Sequence, residues 1–84
     1  MIFLRKAMKV NSLAEMLIKL LEFSRNKKLP LMYYFPDTEH IRITVYTDEP
    51  EEVLKEVEKI FGNVVYFIYD GRGKELIVYA RITQ

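Results

Sequence analysis

Ile41-Arg42-Ile43-Thr44-Val45-Tyr46 alternates apolar and polar side chains without a break. That period of two marks a strand with one buried face, here Ile41, Ile43 and Val45, and one open face, Arg42, Thr44 and Tyr46. Downstream the period changes. In residues 50–61, Val53, Leu54, Val57, Ile60 and Phe61 fall on one stripe about 120° wide, the pattern of a helix lying on a sheet. Pro50 suits its first turn, acids crowd its N-terminal end, and Gly62-Asn63 is a ready stop. Residues 64–69 and 76–82 are rich in β-branched and aromatic side chains and flank Asp70-Gly71-Arg72-Gly73-Lys74, which predicts a hairpin whose two glycines supply positive φ. Leu76, Val78, Ala80 and Ile82 facing inward place Ile77, Tyr79 and Arg81 outward.

Upstream, residues 31–35 are expected to pair with 41–47 across Pro36-Asp37-Thr38-Glu39-His40, which has turn composition. Residues 12–28 form the clearest helix. Ser12 and Glu15 make a capping box, Leu13, Met16, Leu17, Leu20 and Leu21 recur at helical spacing, and Arg25, Lys27 and Lys28 suit the C-terminal end ahead of Pro30. Residues 2–10 read as a strand, with a helical lead-in to that helix as the alternative. The expected order is therefore β-α-β-β-α-β-β, two repeats of helix-then-hairpin behind a leading strand. This is an α+β two-layer sandwich, with two helices on one face of a mostly antiparallel sheet. The first six elements match the order of ferredoxin-like folds, a topological analogy that implies no function.

Eighty-four residues fit one domain, 1–84, and leave no room for a second. Half the residues are hydrophobic, too many for a disordered chain, yet no apolar run approaches the ~20 residues that cross a bilayer. The two cations that follow Met1-Ile2-Phe3-Leu4 do not suit a signal peptide, and cysteine is absent, so the expected setting is the cytoplasm. Lys, Glu, Ile and Tyr are frequent and amides scarce, a bias that resembles thermophile usage. Charge is uneven. Arg5, Lys6, Lys9, Lys19, Arg25, Lys27 and Lys28 stand against only Glu15 and Glu22 in the first third. Asp48, Glu49, Glu51, Glu52, Glu56 and Glu58 outnumber Lys55 and Lys59 in residues 48–59.

Catalysis requires a nucleophile, a base and a group that stabilises developing charge. The single histidine, His40, lies beside Glu39 in a turn, where adjacent side chains seldom converge on one substrate, so it reads as an exposed turn residue. Ser12 reads as a cap, and Ser24 has no base near it in sequence. Without cysteine, a metal could be held only by the acids Asp48, Glu49, Glu51 and Glu52, which a helix N-terminus attracts for its own electrostatic reasons. The Gly71–Gly73 segment opens into a strand, not the helix a phosphate loop needs. No catalytic, metal or cofactor site is expected, and the chain does not read as an enzyme.

Two surfaces exceed the needs of a monomer. The apolar arc of the first helix, which includes Met16, Leu20 and Phe23, sweeps roughly 220° at ~100° per residue. The outer sheet face carries Tyr46, Ile77 and Tyr79, where a fully solvated face would be mostly polar. These six residues are the candidate interface of a non-catalytic binding module, acting as a homodimer or as a small subunit of a protein assembly.

The alternative is nucleic-acid binding. Ile2-Phe3-Leu4-Arg5-Lys6 followed by a capped helix resembles the opening of Alba-type archaeal chromatin proteins, and the C-terminal hairpin with Arg72 and Lys74 at its tip is similar to theirs. The resemblance covers residues 1–22 and that hairpin. The glycine- and arginine-bearing segment that leads into the family's second helix is replaced here by Thr47-Asp48-Glu49-Pro50-Glu51-Glu52, and a strand is added between the helices. The resemblance implies contacts to the nucleic-acid backbone through Arg5, Lys6, Lys9, Arg72 and Lys74.

Overall fold

Strands β2 (His40–Tyr46) and β4 (Glu75–Arg81) pair antiparallel along seven positions, with Ile43 opposite Val78 at the centre. The alternation of both sequences turns Ile41, Ile43 and Val45 to the same side as Leu76, Val78 and Ala80, and all six are fully buried. The computed structural model describes the backbone of residues 2–82 and the side chains of residues 13–82. Helix α1 (Ile2–Lys27) precedes β1 (Leu31–Tyr34), helix α2 (Pro50–Phe61) follows β2, and β3 (Val64–Asp70) precedes β4. The sheet order is β1-β2-β4-β3, antiparallel throughout, which makes β1 and β3 the edges.

The two repeats of helix-then-hairpin are present as α1-β1-β2 and α2-β3-β4. Their second strands meet at the centre of the sheet, so a local two-fold axis normal to the sheet relates the two hairpins. Leu20 of α1 and Val53, Val57 and Phe61 of α2 complete the core, so both helices cover the same face.

The leading strand does not form. Residues 2–10 are helical and continuous with α1, so Ser12 lies inside the helix and not at its start. Leu4, Arg5, Lys6, Ala7, Met8 and Lys9 are all strong helix formers, with no glycine or proline between them and the amphipathic segment. Once that segment nucleates, each added residue gains a hydrogen bond at small cost. The ferredoxin-like analogy loses the strand it began with. At ~1.5 Å per residue α1 is about 39 Å long, against about 23 Å for a seven-residue strand, and it outruns the sheet.

Local chemistry sets the other boundaries. Lys28 (φ 57°) turns the chain after α1, where the Leu29 N–H donates to Ser24 O at 2.9 Å. Gly62 ends α2 in the left-handed region (φ 79°), donating to Glu58 O at 2.7 Å. At the β3–β4 turn neither glycine takes the left-handed region. Lys74 does, with φ 56°, and within the turn the Asp70 carboxylate accepts the Arg72 N–H at 3.0 Å. Buried Thr47 joins the layers: its N–H donates to Lys74 O, its hydroxyl accepts the Glu49 N–H, and its carbonyl accepts the Tyr69 hydroxyl.

The seam and the cap make separable contributions to stability. Ile43→Ala should cost about 2–5 kcal/mol by leaving a cavity at the centre of the ladder. Gly62→Ala meets no atom within 4 Å, so it should cost only about 1–2 kcal/mol, the penalty of a side chain in left-handed backbone. Urea denaturation followed by circular dichroism measures both.

Candidate functional site

Burying one side of β2 and β4 forces their alternate residues onto the opposite side, where no element lies among the described residues. The register arranges this open face in rows that cross the strands. One row is aromatic: Tyr34 on β1, Arg42 on β2, Tyr79 on β4 and Tyr66 on β3. The adjacent row is aliphatic but for one hydroxyl: Met32, Thr44, Ile77 and Ile68. Beyond the aromatic row lie His40 and Arg81, and beyond the aliphatic row lie Tyr46, Glu75 and Asp70. Met32 and Ile68 are each 58% exposed, Tyr34 51% and Tyr66 49%, values that place large apolar side chains in water.

The aromatic row is held in place by its own contacts. Tyr66 and Tyr79 stack with ring centroids 5.0 Å apart and planes 8° from parallel, and the His40 ring lies 5.1 Å from Tyr79. Arg42 donates to the Tyr34 hydroxyl at 2.9 Å, with its guanidinium 5.7 Å from that ring's centroid. Partial burial in the row pushes the Tyr79 hydroxyl above its ordinary pKa. The Glu75 carboxylate, which accepts from the Tyr46 hydroxyl at 3.2 Å, raises that phenol too.

Of the interface residues expected from sequence, Tyr46, Ile77 and Tyr79 come together on this face. The helix residues do not join them. Leu20 is fully buried in the core of its own chain and has no area to offer a partner, and Met16 and Phe23 pack half-buried against that core. Phe23 also lines a groove of about 410 Å³ between α1 and α2 with Lys19, Glu22, Glu56 and Lys59. The surplus of the helix lies instead at Ile18 and Leu21, both exposed.

Among the residues expected to touch nucleic acid, Arg72 is exposed at the β3–β4 turn, and Lys74 beside it is 2.7 Å from Asp48. The side chains of Arg5, Lys6 and Lys9 lie outside the described residues. Of the acids at the start of α2, Asp48 is held by Lys74 and Glu52 by Lys27 at 2.7 Å. His40 does not pair with Glu39. Its Nδ1 lies 2.9 Å from the Asp37 carboxylate, while Glu39 accepts from Arg81 at 3.3 Å.

Sequence reasoning did not single out Met32, Tyr34, Tyr66 or Ile68 as face residues. Residues 64–69 are all apolar or aromatic, so alternation carries no phase there, and a register shift between Val64 and Tyr66 displaces it further. The chain matches no protein-family model, no curated protein and no solved structure at a significant level. Among the described residues no helix is long and apolar enough to cross a membrane.

The β1–β2 turn is pH-sensitive on the acid side. The hydrogen bond from His40, and then that from the Glu39 N–H, hold the Asp37 carboxyl below the usual carboxylate range. A depressed folded pKa gives stability that is present above the ordinary carboxylate value and lost as pH falls through the folded one. In His40→Ala the Asp37 midpoint should rise toward the usual range, as read by NMR titration of its side-chain carbon.

Proposed function

We propose that this chain is a cytoplasmic, non-catalytic binding module that works through its open sheet face, as a homodimer or as a small subunit of a protein assembly. The observation that carries this reading is the pair of adjacent rows, aromatic and aliphatic, that crosses all four strands uncovered. Antiparallel sheets that face water keep that side mostly polar, and large contiguous apolar patches mark interaction surfaces. At ~25 cal/mol per Å², covering ~400 Å² of apolar surface contributes about 10 kcal/mol before association costs of similar size. Shape fit therefore decides the affinity, and preformed contacts such as the Tyr66–Tyr79 stack reduce the ordering that binding would require.

A second reading, binding of a nucleic-acid backbone with bases stacked on the face, is favoured by the three tyrosines beside Arg42. Asp70 and Glu75 on the same face oppose it, and Lys74 is already paired.

Two variants test the principal reading. Ile77→Asp should abolish association, whether with itself or with a partner captured from the native lysate, because it sets a carboxylate in the centre of the aliphatic row. Ile18→Asp, on the exposed flank of α1, should leave association unchanged. The opposite pattern moves the contact surface to the helix. Fluorescence anisotropy with labelled single- and double-stranded oligonucleotides tests the second reading: binding through phosphates weakens steeply as salt rises, and no binding at low salt removes it.

A further inference from the structure

We infer that the open face takes a second copy of this chain, packed sheet on sheet about a two-fold axis that lies in the face and runs across the strands. This inference rests on the face being the contact surface, and goes beyond it by naming the partner and its orientation. An axis across the strands, placed between the aromatic and aliphatic rows, exchanges the rows. Tyr34, Tyr66 and Tyr79 of one copy then lie on the aliphatic row of the other, and ring planes meet branched methyl groups on both sides of the axis. The same operation sets the Arg81 end of each copy on the end that holds the partner's Glu75 and the partner's Asp70. An axis along the strands would instead set the Glu75 and Asp70 carboxylates of the two copies against each other, whereas the Arg81 end is charge-compensated, with Glu39 against Arg81 and Asp37 against His40. Like charges brought together at an interface are repulsive, so the charge pattern selects the first arrangement.

Arg81 already has Glu39 at 3.3 Å. Both groups are exposed, and such surface pairs are weak enough for Arg81 to turn to a new carboxylate. The size of the face agrees. Three seven-residue strands and the four-residue β1, at ~4.8 Å spacing and ~3.3 Å per residue, project about 400 Å² per copy. Side-chain relief raises the buried total for two copies to roughly the 1,000 Å² floor of specific interfaces. The dimer is therefore expected to form and dissociate within an accessible concentration range. Aligned sheet packing, ~10 Å apart and rotated by ~30°, accommodates the natural twist.

The test reads mass by light scattering over a concentration series, with circular dichroism confirming that each variant is folded. The wild-type chain should pass from monomer to dimer, and Ile77→Asp should weaken dimerisation by about 100-fold or more, the cost of desolvating a carboxylate without a partner. Ile68→Asp, at the sheet edge, is a second probe should Ile77→Asp not fold. Arg81→Glu should be monomeric, as should Asp70→Lys/Glu75→Lys. An equimolar mixture of these two should form a heterodimer, because each end then meets its opposite. A wild-type chain that stays monomeric throughout overturns the second copy and leaves the face to a different partner. A dimer that survives Ile77→Asp and Ile68→Asp overturns the face itself. Charge variants that dimerise like wild type, or a mixture that stays monomeric, overturn the row-exchanging orientation.

Discussion

The antiparallel seam between β2 and β4 is the constraint from which the rest of the molecule follows. Its two strands come from different halves of the chain, and neither half has a buried face without the other. Ile41, Ile43 and Val45 meet Leu76, Val78 and Ala80 across the ladder, and these six side chains are the floor on which both helices rest. Because side chains alternate strictly along a strand, a slip of one position would turn Arg42 and Thr44 of β2, or Ile77 and Tyr79 of β4, into the core.

That constraint also makes the open face. Both helices lie over the buried side, and the returning strands β1 and β3 add Tyr34, Met32, Tyr66 and Ile68 to the side they leave uncovered. The face combines two kinds of surface. Its middle is apolar and partly preorganised by ring stacking and the Arg42–Tyr34 hydrogen bond, and its two ends differ in charge: Arg81 is matched by Glu39 at one, while Glu75 and Asp70 lie together at the other. A surface with a polarity of that kind has a preferred orientation toward whatever covers it, which a uniformly greasy patch lacks.

How much of this is legible in the sequence depends on whether a segment alternates. β2, β4 and α2 each have a clear period and clear stop residues, and α2 spans the residues its apolar stripe and Gly62 define. Their outward residues Tyr46, Ile77 and Tyr79 follow directly. Residues 64–69 have no polar position to set a phase, so Tyr66 and Ile68 become visible only through the ladder with β4. Residues 2–10 read as a strand because apolar side chains precede the basic ones, whereas helix propagation from residues 13–27 and the absence of any breaker decide otherwise. Leu20 illustrates a third limit. A wide apolar arc shows that a helix has surplus surface, but only packing shows that Leu20 lies at its buried centre while Ile18 and Leu21 supply the surplus. The glycine turn illustrates a fourth, since the left-handed residue there is Lys74 and neither glycine.

The pairing of two hairpins through their second strands has a kinetic consequence. Each hairpin closes a short loop, so each half can assemble its own strands quickly and at little entropic cost. The ladder between β2 and β4 joins residues farther apart in sequence than either hairpin does, such as Ile43 and Val78. Contacts of high sequence separation set the pace of folding. The slow step is then the docking of two partly formed halves along their second strands, and the apolar faces stay exposed to neighbouring chains until that step is complete.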